Sequence, residues 1–276
     1  MAKISVITIC YNNLEGLKRT FDSVHGQTCR NEIEHIIIDG GSTDGSPEFL
    51  KDHAGDIDYW ISEPDKGIYN AMNKGIAVAT GEYCIFMNSG DLFASADTVE
   101  KCLPYLDGTD FVYGNLIEFF PKTGEKHIRI YPEKITGAYC VTDTLPHQAT
   151  FIKTDVQKKN PYKETYKIVS DYVFFAEEIL MKKVSTKKIP YQISIFYMDG
   201  ISCTNNIETC KERYTAIEDC VPIIIVEDLR ELKYYKDLSR SRLFRIIIYL
   251  ISLYRKFRYP KLYWNKSDNI YTRSEL

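Results

Sequence analysis

The chain contains 276 residues, of which 44% are hydrophobic and 26% are charged. These proportions are typical of a globular protein and exclude long disordered regions, collagen-like repeats and coiled coils. No run reaches the roughly 18 consecutive apolar residues that a membrane span requires. The first apolar run, Ile4–Cys10, is too short for the core of a signal peptide, so we expect it in the mature fold.

Charge is distributed unevenly along the chain, although the net charge is only −3. From Arg230 onward, twelve Lys and Arg residues accompany four Asp and Glu residues, so this tail carries +8 and the remainder −11. An acidic body would repel nucleic acid, and no nucleic-acid-binding motif is present. The eight cysteines include no C-x-x-C pair and no zinc-like spacing, so we expect reduced thiols in a cytoplasmic protein.

The first 115 residues alternate between apolar runs and segments with helical periodicity. The apolar runs predict strands at residues 4–10, 33–38, 57–61 and 83–87. Helical spacing of apolar side chains predicts helices at residues 14–24, from 46 or 47 onward, and at 68–79. Alternation of this kind predicts a parallel α/β sheet with helices on both faces.

After residue 113 the pattern is less regular. It predicts a hairpin of strands 116–120 and 127–131, strands at 149–153 and 191–198, and a helix that begins near Ser170. From Asn206 onward the pattern is helical, and the composition changes near residue 227. We therefore expect a main domain at residues 1–227, with halves 1–115 and 116–227, and a helical basic tail at residues 228–276.

Polar residues follow each of the four strands predicted in the first half. They are Tyr11–Asn13, Asp39 with its glycine-rich turn, Glu63–Gly67 and Asn88–Asp91. Ligands bind beyond the carboxyl ends of the strands in open parallel sheets, so these residues predict one acidic crevice suited to a divalent cation and phosphate. Neither G-x-G-x-x-G nor G-x-x-x-x-G-K-[ST] is present, which excludes a dehydrogenase-type dinucleotide site and a P-loop.

Three segments with matching order and spacing, Ile4–Asn12, Ile38–Gly45 and Gly81–Asp91, resemble the family 2 glycosyltransferases. A fourth, Glu63–Gly75, is similar to the branch that builds bacterial surface polysaccharides. The resemblance is close over residues 3–115 and extends more thinly to about residue 205. It implies a GT-A fold, a Rossmann-like α/β domain whose mostly parallel sheet is flanked by helices, followed here by the helical basic tail.

The resemblance implies a nucleotide-sugar site, with UDP as the expected nucleotide. Asp39 would accept a hydrogen bond from the uracil N–H, and Asp91 would hold Mg²⁺ or Mn²⁺ against the donor diphosphate. The other implied donor contacts are Thr8, Tyr11, Asp65, Asn88 and Gly90. Asn88 and Gly90 stand where carboxylates often occur in the family, so we expect modest metal affinity.

The same resemblance assigns the acceptor side. Asp171 would be the catalytic base, deprotonating the acceptor hydroxyl while UDP leaves from the opposite face, which inverts the anomeric centre. His147, within Pro146–Gln148, would line the acceptor side, and Asp199–Ser202 would form a loop over the donor. The implied enzyme is a metal-dependent, inverting hexosyltransferase.

Each of these acidic residues also has a structural alternative. Asp39 would cap the glycine turn that follows it, Asp91 would cap the next helix, and the helix dipole would favour Asp171 in a first turn. Two other functions also remain open. One is a sugar-1-phosphate nucleotidyltransferase, although its basic, glycine-rich signature is missing after the first strand. The other is a non-catalytic nucleotide-sugar or saccharide-binding protein whose metal site has decayed.

The tail contains an apolar segment, Ile246–Tyr254, with Arg and Lys residues on both sides. This pattern predicts either a helix that lies on an anionic membrane surface, or one that packs on the catalytic domain or on a second subunit of a homo-oligomer. A lipid-linked saccharide acceptor would give membrane contact through residues 240–258 a purpose. We therefore expect a cytoplasmic protein that is peripheral on the inner face of the cytoplasmic membrane.

Overall fold

The computed structural model describes residues 2–198 and 206–258. The strands in these ranges are β1 Ile4–Cys10, β2 Ile33–Asp39, β3 Tyr59–Ser62, β4 Tyr83–Phe86, β5 Leu92–Phe93, β6 Phe111–Phe120, β7 Glu125–Arg129, β8 Thr150–Lys153 and β9 Thr186–Tyr197. The helices are α1 Leu14–His25, α2 Ser46–Asp52, α3 Ile68–Val78, α4 Thr98–Cys102, α5 Gly137–Cys140, α6 Thr154–Lys159, α7 Ser170–Met181, α8 Asn206–Cys220, α9 Ile223–Arg240 and α10 Arg242–Arg258. Short 3₁₀ turns cover Arg30–Glu32, Leu103–Tyr105 and His147–Ala149.

The strands form one sheet in the order β3-β2-β1-β4-β8-β6-β9-β5, with β7 paired to β6. β1, β2, β3 and β4 are parallel, as predicted. β8 runs antiparallel to both β4 and β6, and β5 runs antiparallel to β9, whereas β6 and β9 are parallel. The sheet is therefore parallel in its first half and mixed in its second. A hairpin such as β6–β7 needs only a short turn, whereas parallel neighbours need a long crossover.

Helices cover both faces of the parallel half of the sheet, which is why β1 is buried along its whole length. On one face, Leu17 of α1 packs in a cluster with Ile37 of β2. On the other face, α3 lies so close to β1 that a Cβ atom on Gly75 would be 2.5 Å from Ile7 Cγ2 and 3.6 Å from Ile38 Cγ1. Alternating strand residues thus face opposite helical layers.

Some predicted strand boundaries are shifted. The third strand begins at Tyr59, where pairing with Ile36 of β2 starts, and not at Ile57. The last strand begins at Thr186, because it pairs with β6 from Phe111 onward. Pairing partners set where these strands begin, and apolar periodicity alone does not report them.

Contacts among the described residues divide the chain after Val226. The first unit holds the whole sheet and helices α1 to α8. The second unit begins at Glu227 and contains the rest of α9 and α10. In the ranges that the structure describes, no helix is both long and apolar enough to cross a membrane.

Candidate active site

A cleft of about 1120 Å³ is lined by residues that directly follow β1, β2, β3 and β4. It extends to the 3₁₀ turn that precedes β8 and to the start of α7. Seven of the predicted site residues line it: Tyr11, Asp65, Asn88, Gly90, Asp91, His147 and Asp171. Residues from both halves of the sequence therefore share one cavity.

The turn after β4 presents Asp91 to the cleft. Gly90 has φ of +110°, a conformation that disfavours any residue with a Cβ, and its N–H donates to Thr20 Oγ1 at 2.9 Å. The Asp91 carboxylate accepts from the Asn88 N–H at 3.1 Å. Asn88 Oδ1 is buried and has no hydrogen-bond partner among the described residues. An unmatched buried acceptor is costly, so this oxygen indicates a place for a donor group of a ligand.

Tyr11 and Asp65 flank the bare backbone at Gly40. A Cβ atom on Gly40 would lie 3.3 Å from Tyr11 Cδ2 and would collide with the Asp65 carboxylate. Tyr11 is 67% exposed, and Asp65 Oδ1 accepts from the Gly67 N–H at 2.8 Å. An exposed aromatic ring beside open backbone is able to stack on a planar base.

Thr8 and Asp39, two predicted donor contacts, lie behind the cleft surface. Both are fully buried, and neither lines the cavity. Thr8 Oγ1 is 3.1 Å from His35 Nε2. The Asp39 carboxylate accepts from two backbone N–H groups of its own turn and from the hydroxyl groups of Ser42 and Ser62. The described geometry makes Asp39 the acceptor that closes the glycine turn, which is the structural alternative weighed for it above.

Asp171 and His147 form a hydrogen-bonded pair in the cleft. His147 Nδ1 lies 3.0 Å from Asp171 Oδ2. The Tyr69 hydroxyl lies 3.0 Å from Asp171 Oδ1 and 2.6 Å from the Ile168 carbonyl, and its one proton is shared between these two acceptors. On the other side of the ring, His147 Nε2 is 3.3 Å from Asn88 Nδ2. These contacts join α3, α7, the 3₁₀ turn before β8 and the turn after β4.

The Asp171 carboxyl is held in its ionised form. Burial acts to raise its pKa, but the hydrogen bond and charge of His147, with smaller contributions from the Tyr172 backbone and the Tyr69 hydroxyl, lower the pKa below its ordinary 3.8. Burial and the neighbouring Asp171 raise the pKa of Tyr69 well above 10. At neutral pH, Tyr69 is therefore protonated and lies beside a carboxylate anion.

Some residues of the cleft wall were not predicted from the sequence. Tyr69 lies in the segment Glu63–Gly75, but no local signal indicated a partner 102 residues later in the chain. Arg213 of α8 lies over the Tyr172 ring at 4.7 Å, and its Nε has no hydrogen-bond partner in the described part of the chain. The loop predicted at Asp199–Ser202 lies outside the described residues.

The cleft offers few protein ligands for a metal ion. Among the described residues there is no group of three or more His, Cys, Asp or Glu residues that would hold one. The Asp91 carboxylate is a hard oxygen ligand, and Mg²⁺ is commonly held by one or two carboxylates together with substrate phosphates and water. This single carboxylate ligand therefore fits a divalent cation that binds together with a nucleotide.

Comparisons of the sequence identify relatives in bacteria. The model of the glycosyl transferase family 2 matches residues 5–173. An uncharacterized glycosyltransferase of Mycobacterium tuberculosis is 35% identical over 185 residues, covering 64% of this chain and 69% of that protein. A PGL/p-HBAD biosynthesis glycosyltransferase of Mycobacterium bovis is 28% identical over 182 residues, covering 62% of this chain and 67% of that protein.

A comparison of structures finds the same fold in TarS of Staphylococcus aureus, solved in complex with UDP-GlcNAc. The TM-score is 0.64 at 15% sequence identity, over 87% of this chain and 74% of that chain. Likeness at this identity establishes the GT-A fold, with a mixed sheet flanked by helices. Together with the match of the family model over more than half of the chain, this shows that the protein belongs to glycosyltransferase family 2.

Proposed function

We propose that the protein is an inverting glycosyltransferase that moves a hexosyl group from a UDP-sugar to a saccharide or lipid-linked saccharide. The relative named for PGL/p-HBAD biosynthesis supports a role in making surface glycolipids or polysaccharides. The observation that carries the proposal is the single cleft that contains both the Asp91 turn and the Asp171–His147 pair. With the donor diphosphate at the Asp91 turn and the acceptor hydroxyl at the Asp171–His147 pair, the anomeric carbon would lie between these two groups.

The nucleoside would bind where Tyr11 and Asp65 flank the backbone at Gly40. The exposed Tyr11 ring would stack on the base. The UDP-GlcNAc bound to TarS supports uridine as the nucleoside. We assign Asp39 and Thr8 an indirect role there, since both are buried behind the surface that a ligand touches. Asn88 Oδ1 and the backbone at Gly90 would contact the sugar or the diphosphate.

Asp91 would hold Mg²⁺ or Mn²⁺ together with the phosphate oxygens of the donor. Enzymes of this family generally use a divalent metal, which when bound neutralises the charge that develops on the leaving nucleotide. Because the chain supplies one carboxylate here, we expect weak metal binding without nucleotide and stronger binding with it.

The Asp171–His147 pair would accept the proton of the acceptor hydroxyl as that oxygen attacks the anomeric carbon. The attacking oxygen approaches from the side of the pair, and UDP departs on the side of Asp91. One displacement of this kind inverts the configuration, so an α-linked donor yields a β-glycoside. General-base catalysis of this type contributes about 10²- to 10⁴-fold to the rate.

The test is release of nucleoside diphosphate from a panel of UDP-, GDP- and dTDP-sugars in the presence of Mn²⁺. The wild type is compared with Asp91→Asn and with Asp22→Asn, a control on the exposed surface of α1. We expect release from a UDP-sugar by the wild type and the control, and its loss in Asp91→Asn. Release of pyrophosphate from UTP and a sugar 1-phosphate, with no nucleoside diphosphate released from any sugar donor, would instead indicate a nucleotidyltransferase. Metal-dependent binding of UDP without turnover, even with saccharide acceptors added, would indicate a binding protein.

We also propose that α10 contacts an anionic membrane surface. Its residues Leu243, Ile247, Leu250 and Tyr254 recur on one face and are 43–67% exposed. The sequence of Arg242–Arg258 contains five Arg and Lys residues and no acidic residue, which complements anionic lipid headgroups at about 1 kcal/mol for each basic residue near the surface. A helix with these properties lies in the interface and does not cross it.

The membrane proposal is tested by sedimentation of the full chain with vesicles. We expect binding to phosphatidylcholine mixed with phosphatidylglycerol, little binding to phosphatidylcholine alone, and weakening by salt. Leu250→Glu should abolish the binding, whereas Leu232→Glu, a matched change on α9, should not. Equal binding by Leu250→Glu would refute the proposal. A dimer seen without lipid and lost in Leu250→Glu would show that a second copy covers this face.

A further inference from the structure

Both carboxylate oxygens of Asp171 accept hydrogen bonds from neighbouring side chains. Oδ1 accepts from the Tyr69 hydroxyl at 3.0 Å and Oδ2 is bound by His147 Nδ1 at 3.0 Å. Tyr69 is itself anchored to the Ile168 carbonyl at 2.6 Å, within the segment that leads into α7. A carboxylate held by several donors is stabilised as an anion and is a correspondingly weak proton acceptor.

The same contacts orient the imidazole ring of His147. Because an ionised carboxylate only accepts hydrogen bonds, the pairing with Asp171 requires a proton on Nδ1. Nε2 then carries the lone pair, which accepts from Asn88 Nδ2 at 3.3 Å. The Phe86 ring meets the imidazole edge-to-face at 6.2 Å and helps to fix its plane.

We propose that His147, through Nε2, takes the proton from the acceptor hydroxyl, and that Asp171 positions His147 and stabilises its charged form. This inference rests on the transferase activity proposed above. Nε2 lies beside Asn88, in the turn that carries Asp91, whereas both oxygens of Asp171 are engaged on the far side of the ring. The acceptor hydroxyl would replace the Asn88 amide at Nε2.

The proton and the bonds balance in one step. The acceptor oxygen forms its bond to the anomeric carbon, the bond from that carbon to the donor phosphate oxygen breaks, and UDP leaves with the electron pair. The hydroxyl proton moves to Nε2 of His147, and the resulting imidazolium faces the Asp171 carboxylate. Release of that proton to solvent restores the site. An imidazole has an ordinary pKa near 6.5 and is a more effective base at neutral pH than a stabilised carboxylate.

Within the described residues, three titratable groups are linked to His147 by hydrogen bonds. Asp171 of α7 contacts Nδ1 directly, Tyr69 of α3 acts through Asp171, and Asp91 acts through Asn88 in the turn after β4. Tyr69 stays protonated over the pH range of an assay. The loss of the acid limb of the pH–rate profile in a His147 variant is therefore the decisive signature.

The experiment measures kcat, the KM for acceptor and UDP binding for the wild type, His147→Gln and Asp171→Asn from pH 5 to 9. His127→Gln, at an exposed histidine of β7, is the matched control. We expect His147→Gln to lower kcat by about 10²-fold or more, with UDP binding within about twofold of the wild type. The wild-type kcat should fall toward the acid end of this pH range, and this fall should be absent from the residual rate of His147→Gln. Asp171→Asn should also lower kcat at least tenfold, because an amide no longer selects the Nδ1–H tautomer.

The proposal is overturned if His147→Gln keeps more than a tenth of the wild-type kcat while Asp171→Asn loses it, since Asp171 would then be the base itself. It is also overturned if the acid limb persists unchanged in His147→Gln. Failure of the transferase proposal is a separate result. In that case the wild type itself releases no nucleoside diphosphate from any donor.

Discussion

Replacing Asp39 by Asn removes a charged acceptor from the turn between β2 and α2. The carboxylate is fully buried and accepts from the N–H groups of Gly41 and Ser42 at 3.2 and 3.0 Å, and from the hydroxyl groups of Ser42 and Ser62. Asn keeps the shape of the side chain but offers one acceptor oxygen. Its NH₂ group is a hydrogen-bond donor and would face the N–H and O–H groups that donate to Asp39 in the wild type.

The expected loss of stability follows from these bonds. Three of them converge on Oδ2 and one on Oδ1. With the amide oxygen in the Oδ2 position, the Ser42 hydroxyl loses its acceptor, and a buried unpaired donor costs about 1–3 kcal/mol. The other three bonds lose the extra strength of a charged acceptor. Rotation of the Ser42 hydroxyl to a new partner would reduce this cost. We therefore expect a total fall of about 3 kcal/mol in the free energy of unfolding.

The assay is thermal unfolding of the apo protein. For a unit of this size, about 3 kcal/mol corresponds to a decrease in Tm of roughly 6–12 °C. Asp22→Asn, on the exposed surface of α1, should change stability by no more than about 0.5 kcal/mol. An apo Tm for Asp39→Asn equal to that of the wild type, with a loss of UDP affinity, would refute the reasoning. Asp39 would then contact the nucleotide and would not stabilise the turn.

Two further predictions concern the packing and titration of the same half of the sheet. Gly75→Ala should lower the free energy of unfolding by about 1–3 kcal/mol through overpacking, because the new methyl group would lie 2.5 Å from Ile7 Cγ2. In the Ile7→Ala background, Gly75→Ala should lower the free energy of unfolding by less than it does in the wild type, because Ile7 Cγ2 is then absent. Equal losses in the two backgrounds of this double-mutant cycle would contradict the contact. Burial, with smaller contributions from His25 and Arg30, lowers the pKa of His35 well below 6.5, so the folded state requires its neutral form. The stability that this provides is complete above pH 6.5 and is lost as the pH falls toward the folded pKa, with a slope of up to about 1.4 kcal/mol per pH unit. Denaturant unfolding between pH 7 and 5 should show a smaller slope for His35→Gln, and equal slopes would contradict the prediction.

Local sequence signals were sufficient for several of the elements that line the cleft. The run Ile4–Cys10 predicts β1 with its observed boundaries, and the helix predicted near Ser170 is α7. The polar turn Asn88–Asp91 follows a buried strand and reaches the cleft, as expected. Periodicity and turn chemistry act over a few neighbouring residues, so they can be recognised without knowledge of the fold.

Asp39 is a residue whose role local sequence signals do not predict. Its position after a strand is compatible with both base recognition and turn closure. The pairing of β2 with β3 supports turn closure, because it brings Ser62 opposite Asp39 and its hydroxyl onto the carboxylate, and base recognition by Asp39 stays a prediction. Burial of a side chain depends on its neighbours in space, and a residue type does not specify them.

The sequence alone determined the family, the strand–helix alternation and the polar turns after β1 to β4 that line the cleft. The tertiary structure decided how the side of the cleft that holds Asp171 and His147 is assembled. In the antiparallel pairing of β8 with β4, Ile152 lies opposite Cys84, so the turn at His147 lies beside Asn88 at the carboxyl end of β4. A parallel β8 would have carried His147 to the opposite end of the sheet, and the sequence indicated no direction for this strand. Strand order and direction are set by the summed packing of the whole core, and for that reason no local pattern reported the contact on which the proposed chemistry depends.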